Sequence, residues 1–249
     1  MKQTQDIMGM PVTVEVPGAT NTQDLEKVFA YFRQVDETFS TYKPGSEISR
    51  INRNELGINK ASPQMQEIFR LAEQTKHETS GYFDIWNGKQ WDPSGLVKGW
   101  AIFNAAEILK KLGYKNFYVE AGGDIQASGK NEDNQPWSVG IRNPFAKNEI
   151  VKIIYPGEQG VATSGTAERG QHIYNPHQPE TYITGIVSIT VVGPNVYEAD
   201  RFATAAFAMG KQGIFFIEQM PNFEAYMIDD KGIANMTNGF EQLTTVPKQ

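Results

Sequence analysis

Helical and strand periodicities follow one another along this chain without strict alternation, and that order restricts the fold more than any other feature. A doubly wound parallel sheet needs a helix between successive strands, so the pattern favours an α+β arrangement. An alternating apolar and polar segment at 11–16 suits a half-buried strand and is closed by Pro17-Gly18. Beyond it Leu25, Val28, Phe29, Phe32, Val35 and Phe39 recur at three- and four-residue steps, predicting an amphipathic helix capped by Thr22 and ending near Ser40. Ser62-Pro63 announces a second helix, because proline at the first helical position gives up an N–H that has no partner there, and Gly81 is the expected stop. A third is expected over 99–112, with Gly113 taking the left-handed terminal conformation. Strands are expected at 117–121, 137–142, 150–155 and 186–192. Helices over 198–209 and 212–219 and a hairpin turning at 229–232 complete the pattern. No internal repeat or long linker interrupts it, and one compact unit over 1–249 is the simplest reading.

Charge and composition narrow the function. With 23 Lys and Arg against 29 Asp and Glu, the formal charge of −6 argues against a basic nucleic-acid scaffold. No apolar run approaches the roughly 20 residues of a membrane span. The opening MKQTQDIMGMPVTVEV lacks the apolar core of a signal peptide, so a cytoplasmic protein, or the trimmed mature form of an exported one, is expected. The chain has no cysteine, which excludes disulfides, thiolate metal sites and cysteine nucleophiles. A metal would have to be held by oxygen or by His77, His172 or His177.

Asp200 and Thr204, four apart, face one side of their helix, and a carboxylate with a hydroxyl suits a hard cation such as Mg²⁺. From spacing alone the ordinary reading, Asp200 complementing the helix dipole and Thr204 bonding back to the main chain, is the default. Asp92-Pro93-Ser94-Gly95-Leu96-Val97-Lys98-Gly99 reads as a turn into a helix, where free N–H groups and a lysine could meet an anion, or as a capped helix with Lys98 solvated. Glu120-Ala121-Gly122-Gly123-Asp124 lacks a full dinucleotide fingerprint, and a turn with positive φ explains its glycines equally well. Ala162-Thr163-Ser164-Gly165 reads as a loop that could offer hydroxyls and amides to a phosphate. His77 belongs to a surface helix and His177 to a polar loop, while His172 is either a buried, satisfied histidine or a general base.

In this order, these pieces resemble the ApbE-type FAD:protein FMN transferase family. The resemblance rests on Met8-Gly9-Met10, Phe39-Ser40-Thr41-Tyr42 with Ser46-Glu47-Ile48, Gly81-Tyr82-Phe83-Asp84, Asp92 to Gly99 with Ala101, and Ala121-Gly122-Gly123-Asp124-Ile125. It continues through Ala162-Thr163-Ser164-Gly165, His172-Ile173 and Ala199-Asp200 with Ala203-Thr204-Ala205. The chain looks like a shortened member, since Asp84 and Asp92 are only eight apart where the family usually carries a long insertion.

The resemblance implies a single α+β domain with largely antiparallel sheets and two T-fold-like halves, holding FAD between them. It implies transfer of FMN from FAD onto a threonine hydroxyl of an acceptor flavoprotein, with release of AMP. If water replaces the hydroxyl, the same site becomes a Mg²⁺-dependent FAD pyrophosphatase; a loop altered after His172 could instead leave a protein that binds FAD intact. By the same resemblance Asp200, Thr204 and the Gly95 carbonyl are Mg²⁺ ligands, and His172 is the base near the pyrophosphate. Asp92 and Lys98 are FAD contacts, Lys98 also supporting catalysis, and Tyr42 lies against the flavin. Met10, Phe83, Asp84, Ile85, Asp124, Thr163, Ser164 and Ile173 are expected around the same cofactor.

Overall fold

The computed structural model describes residues 1–166, 170 and 173–247. In chain order its elements are β1 (Lys2–Ile7), β2 (Met10–Glu15), α1 (Thr22–Phe39), α2 (Glu47–Asn52), α3 (Pro63–Glu78), α4 (Ser94–Lys111), β3 (Phe117–Ala121) and β4 (Asp124–Ser128). There follow β5 (Val139–Asn143), β6 (Ala146–Ile154), β7 (Gly160–Gly165), β8 (Ser188–Gly193), α5 (Val196–Ala208), α6 (Gly213–Glu218), β9 (Glu224–Ile228) and β10 (Ala234–Met236). Among the described residues eight strands form one sheet in the order β1-β2-β3-β4-β7-β8-β9-β10, and β5 pairs only with β6. Every pairing between these strands is antiparallel, as the α+β reading expects. Among the described residues no helix is long and apolar enough to cross a membrane.

The sheet has two covered faces. On one, α1, α3 and α4 bury Leu25, Phe29, Met65, Ile68, Ile102 and Leu109 against Val12, Val14 and Val119. Further along the same face, α5 and α6 close over Ala162, Ile189 and Ala225 through Phe202, Phe207 and Ile217. On the opposite face the β5–β6 ribbon places Val139, Ile141 and Ile154 over Ile125, Val161 and Val192. Val161 and Ala162 therefore serve different clusters, the alternation a strand imposes.

Two tight turns shape the edge nearest the site. Met8 and Gly9 (φ 59° and 73°) link β1 to β2, and Gly122 and Gly123 (φ 58° and 93°) link β3 to β4. Both are two-residue hairpin loops with positive φ at both positions, which glycine adopts without steric penalty. Gly122 has a second constraint, since a Cβ there would lie 2.8 Å from Met10 Sδ.

Several boundaries differ from the sequence reading. The first helix is capped by Asn21, whose side chain accepts from Gln23 N–H, rather than by Thr22. Ser62 does cap α3, accepting from Met65 N–H at 3.2 Å. The third helix starts at Ser94, because Asp92 Oδ1 accepts Ser94 N–H at 3.0 Å and turns the chain directly into it. Ala162-Thr163-Ser164-Gly165 is strand rather than loop, held by a six-residue register with β8 that overrides its turn-like composition.

Candidate functional site

The site begins where α4 and α5 press together. Gly99 makes this approach possible: a Cβ there would lie 2.5 Å from Asp200 Cβ and 2.7 Å from Val196 O. Asn195 caps α5 by accepting Glu198 N–H at 3.0 Å, which fixes the turn from which Asp200 and Thr204 project. Gly99 N–H donates to Asp200 Oδ2 at 2.7 Å, and Thr204 Oγ1 donates to Gly95 O at 3.3 Å. Three oxygens from two helices, those of Asp200, Thr204 and Gly95, thus converge beside Lys98.

Lys98 joins this group to the sheet. Its Nζ is 2.7 Å from Asp124 Oδ2 and 3.8 Å from Asp200 Oδ1. Asp124 sits at the start of β4, directly after the Gly122-Gly123 turn, and its Oδ1 accepts Thr163 N–H from β7 at 3.0 Å. Asp124 is 0% and Asp200 2% exposed. Burial drives the Asp200 carboxyl well above its usual pKa; the Lys98 ammonium opposes that shift, and neighbouring Asp124 adds to it. One ammonium against two enclosed carboxyls leaves one of them without a counter-charge, a place that a proton takes in the metal-free protein and that a bound cation could take instead.

Among the described residues no cluster of three or more His, Asp or Glu side chains is placed to hold a metal ion. The donor set here is of another kind: one carboxylate, one hydroxyl and one main-chain carbonyl. That set suits Mg²⁺, which takes few protein ligands and completes its shell with water and phosphate oxygens. Asp200 Oδ2 is engaged by Gly99 N–H, so Oδ1 is the oxygen available to a metal.

These groups open onto a cleft of about 1050 Å³ that runs from the helix side of the sheet to the β5–β6 ribbon. Met10, Tyr42, Phe83, Asp84, Asp92, Gly95 and Lys98 lie along its wall, as do Thr163, Ser164, Ile173, Asp200 and Thr204. Tyr42 is 94% exposed, so it is not a core tyrosine. Asp84 is held from three sides: Lys76 Nζ at 2.7 Å, Trp86 N–H at 2.9 Å, and the Tyr174 hydroxyl, which donates to the Asp84 carbonyl at 2.6 Å. Burial raises the pKa of that Tyr174 hydroxyl and keeps it a donor.

Two expected contacts lie elsewhere. Ile85 is packed into the apolar core and is not on the cleft wall; its carbonyl accepts Asp92 N–H at 2.7 Å and spaces the two motifs. Asp124 lies behind Lys98, out of the cleft. His172 lies outside the described residues. His77 is exposed on α3, and His177 stacks edge-on against Tyr82 with Nε2 3.0 Å from Ser80 O. Thr190 escaped the sequence reading: it lines the cleft, 1% exposed, with Oγ1 2.9 Å from Thr163 Oγ1. The signal was available, a hydroxyl inside the otherwise apolar Ile189-Thr190-Val191-Val192.

Residues 8–92 and 87–227 match the sequence model of the ApbE family. The FAD:protein FMN transferase of Haemophilus influenzae is 24% identical over 294 aligned positions, covering 91% of this chain and 85% of that protein. The FAD:protein FMN transferase of Vibrio cholerae is 25% identical, covering 92% and 85%. Among solved structures, the flavin transferase ApbE from Vibrio cholerae superposes with a TM-score of 0.86 at 23% identity over 98% of both chains. The apbe protein from Thermotoga maritima superposes with a TM-score of 0.87 at 19% identity, over 98% of this chain and 99% of that one. At these identities the solved structures speak to the fold.

Proposed function

The chain belongs to the ApbE family, and from that premise we propose that it is a Mg²⁺-dependent FAD:protein FMN transferase, with residues 1–249 acting as one domain. Its reaction moves FMN from FAD onto a threonine hydroxyl of an acceptor flavoprotein and releases AMP. The observation that carries this reading is the set of Gly95, Thr204 and Asp200 oxygens at the wall of a cleft of about 1050 Å³, beside two enclosed carboxyls that share one ammonium. The names of the relatives supply the flavin chemistry.

The bond changes are simple. The threonine oxygen forms a bond to the FMN phosphorus, the bond from that phosphorus to the bridging oxygen breaks, and AMP leaves with the bridging oxygen. The threonine proton passes to a base, for which His172 is our candidate from the motif it shares with the family. Displacement of this kind depends mainly on positioning and on neutralising charge. Asp200 Oδ1, Thr204 Oγ1 and Gly95 O would hold Mg²⁺, which when bound supplies positive charge to the pyrophosphate. Lys98 adds an ammonium at the same wall. The N-terminus of α4 carries the positive end of the helix dipole and favours negative charge beside it. Tyr42 offers an exposed ring to the isoalloxazine, with Met10 and Phe83 nearby, while Asp92 and Asp84 keep the α4 entrance and its neighbouring loop in register.

The test is chromatography of FAD, FMN and AMP after incubation with FAD and Mg²⁺, with and without a threonine-bearing acceptor domain. AMP together with flavin bound covalently to the acceptor is the expected result. AMP with free FMN in both reactions would make the protein a pyrophosphatase, and FAD intact in both would contradict the transferase reading.

A further inference from the structure

Asp124 is fully enclosed and touches no part of the cleft, yet both of its oxygens are committed. Oδ1 accepts Thr163 N–H at 3.0 Å, which fixes the carboxylate between β4 and β7, and Oδ2 stands 2.7 Å from Lys98 Nζ. The same ammonium is 3.8 Å from Asp200 Oδ1, and Asp200 Oδ2 is already taken by Gly99 N–H. Lys98 therefore faces two carboxyls that also lie within hydrogen-bonding reach of each other, and it leans toward the one that faces away from the cleft. A lysine drawn fully onto Asp200 would occupy the oxygen a divalent cation needs, and in a poorly hydrated interior such a pair is far stronger than in water.

We infer that Asp124 is a positioning residue that draws the Lys98 ammonium off Asp200 Oδ1 and so keeps that oxygen open to a divalent cation. The inference rests on the Mg²⁺ reading above and assigns Asp124 a part distinct from contact with flavin nucleotide. It explains why a carboxylate is buried directly after the Gly122-Gly123 turn, where the backbone bond to β7 prevents it from following the lysine into the cleft. Lys98 keeps its place at the wall, with one charge neutralised from behind.

The test is isothermal titration with Mn²⁺ alone, without FAD, on the full chain and on three variants: Asp124→Asn, Lys98→Met and the double variant. Asparagine retains an acceptor for Thr163 N–H, and circular dichroism with the thermal midpoint checks that the fold is retained. Asp124→Asn is expected to weaken Mn²⁺ binding by about tenfold or more, as the ammonium shifts toward Asp200. Adding Lys98→Met is expected to bring binding back to within about threefold of the parent chain, because the competing cation is gone. A crystal structure of Asp124→Asn should place Lys98 Nζ at about 3 Å from Asp200 Oδ1. If the parent chain binds Mn²⁺ and Asp124→Asn binds it equally well, the inference is overturned and the metal reading stands. If the double variant stays as weak as Asp124→Asn, or Lys98 has not moved, Asp124 only supports the fold, and the inference is again overturned. A parent chain that binds neither Mn²⁺ nor Mg²⁺ overturns the metal reading and the inference with it.

Discussion

Consecutive residues of α5 head two charge clusters built from the same ingredients, one cation and two carboxylates, with the burial reversed. Around Asp200 the carboxylates are hidden, at 0% and 3% side-chain exposure for Asp124 and Asp200. Around Arg201 the cation is hidden at 5%, while Glu78 and Glu198 reach solvent at 36% and 25%. Arg201 is also well partnered: Nε donates to Glu198 at 2.9 Å, a terminal nitrogen donates to Thr75 Oγ1 at 3.2 Å and pairs with Glu78, and the guanidinium lies 4.0 Å over the Phe202 ring. Excess negative charge in that cluster is hydrated, so it serves as a clamp between α3 and α5. In the Asp200 cluster two carboxyls are enclosed with one ammonium, so the second negative charge is carried only when a proton or a cation offsets it. Which sign of charge is buried separates a structural cluster from one prepared for a ligand.

The largest expected effect breaks the site and leaves the clamp. Asp200→Ala should reduce Mg²⁺-dependent AMP release by about a thousandfold or more, comparable to removing a main electrostatic group from an active site, with the circular dichroism spectrum unchanged. Breaking the clamp should do the reverse. Arg201→Met leaves two carboxylates without their cation and should lower stability by about 3 kcal/mol in urea titrations, with a smaller loss of activity. Gly99→Ala forces apart the two helices that carry both clusters, because its new methyl would meet Asp200 Cβ at 2.5 Å. A cost of about 2–3 kcal/mol is expected, with activity falling alongside.

A finer test uses pH. The folded-state pKa of Asp200 lies well above the usual carboxylate value, owing first to burial. The fold thus prefers the protonated carboxyl, and its penalty grows as pH rises from about 4 through the raised folded value. In metal-free protein, Asp200→Asn should therefore melt close to the parent at acid pH and above it at neutral pH, while losing turnover. Stability and activity would then move in opposite directions. The smallest effect is at the rim: Tyr42→Ala should change stability by no more than about 0.5 kcal/mol, since the side chain is 94% exposed, yet weaken FAD binding about tenfold.

The helices were legible where one face had to be apolar, as in α1, whose buried residues are the Leu25-to-Phe39 series. Strand β3 was legible for the same reason, its burial alternating residue by residue. The polar edge strand β1, KQTQDI, carried no such pattern, because it has neighbours on one side only and few apolar side chains to place. The start of α4 was missed because Gly95 and Gly99 look like breakers locally; their purpose, close approach to Thr204 and Asp200, exists only in tertiary structure. The pairing of Asp200 with Thr204 followed from helical spacing. That Lys98 and Asp124 join them could not be read from spacing, since Asp124 lies on a strand remote in sequence from α5.

FAD cleavage is expected to depend on a cation held where the Asp200 cluster encloses two carboxyls with one ammonium. The most direct measurement is AMP release from FAD by the parent chain and by Asp200→Asn across a Mg²⁺ titration, starting from chelator-treated protein with the acceptor present. The expected result is release that rises with Mg²⁺ in the parent and is absent from the variant at every concentration. Release by the parent without metal, or by Asp200→Asn at the parent's rate, would contradict it.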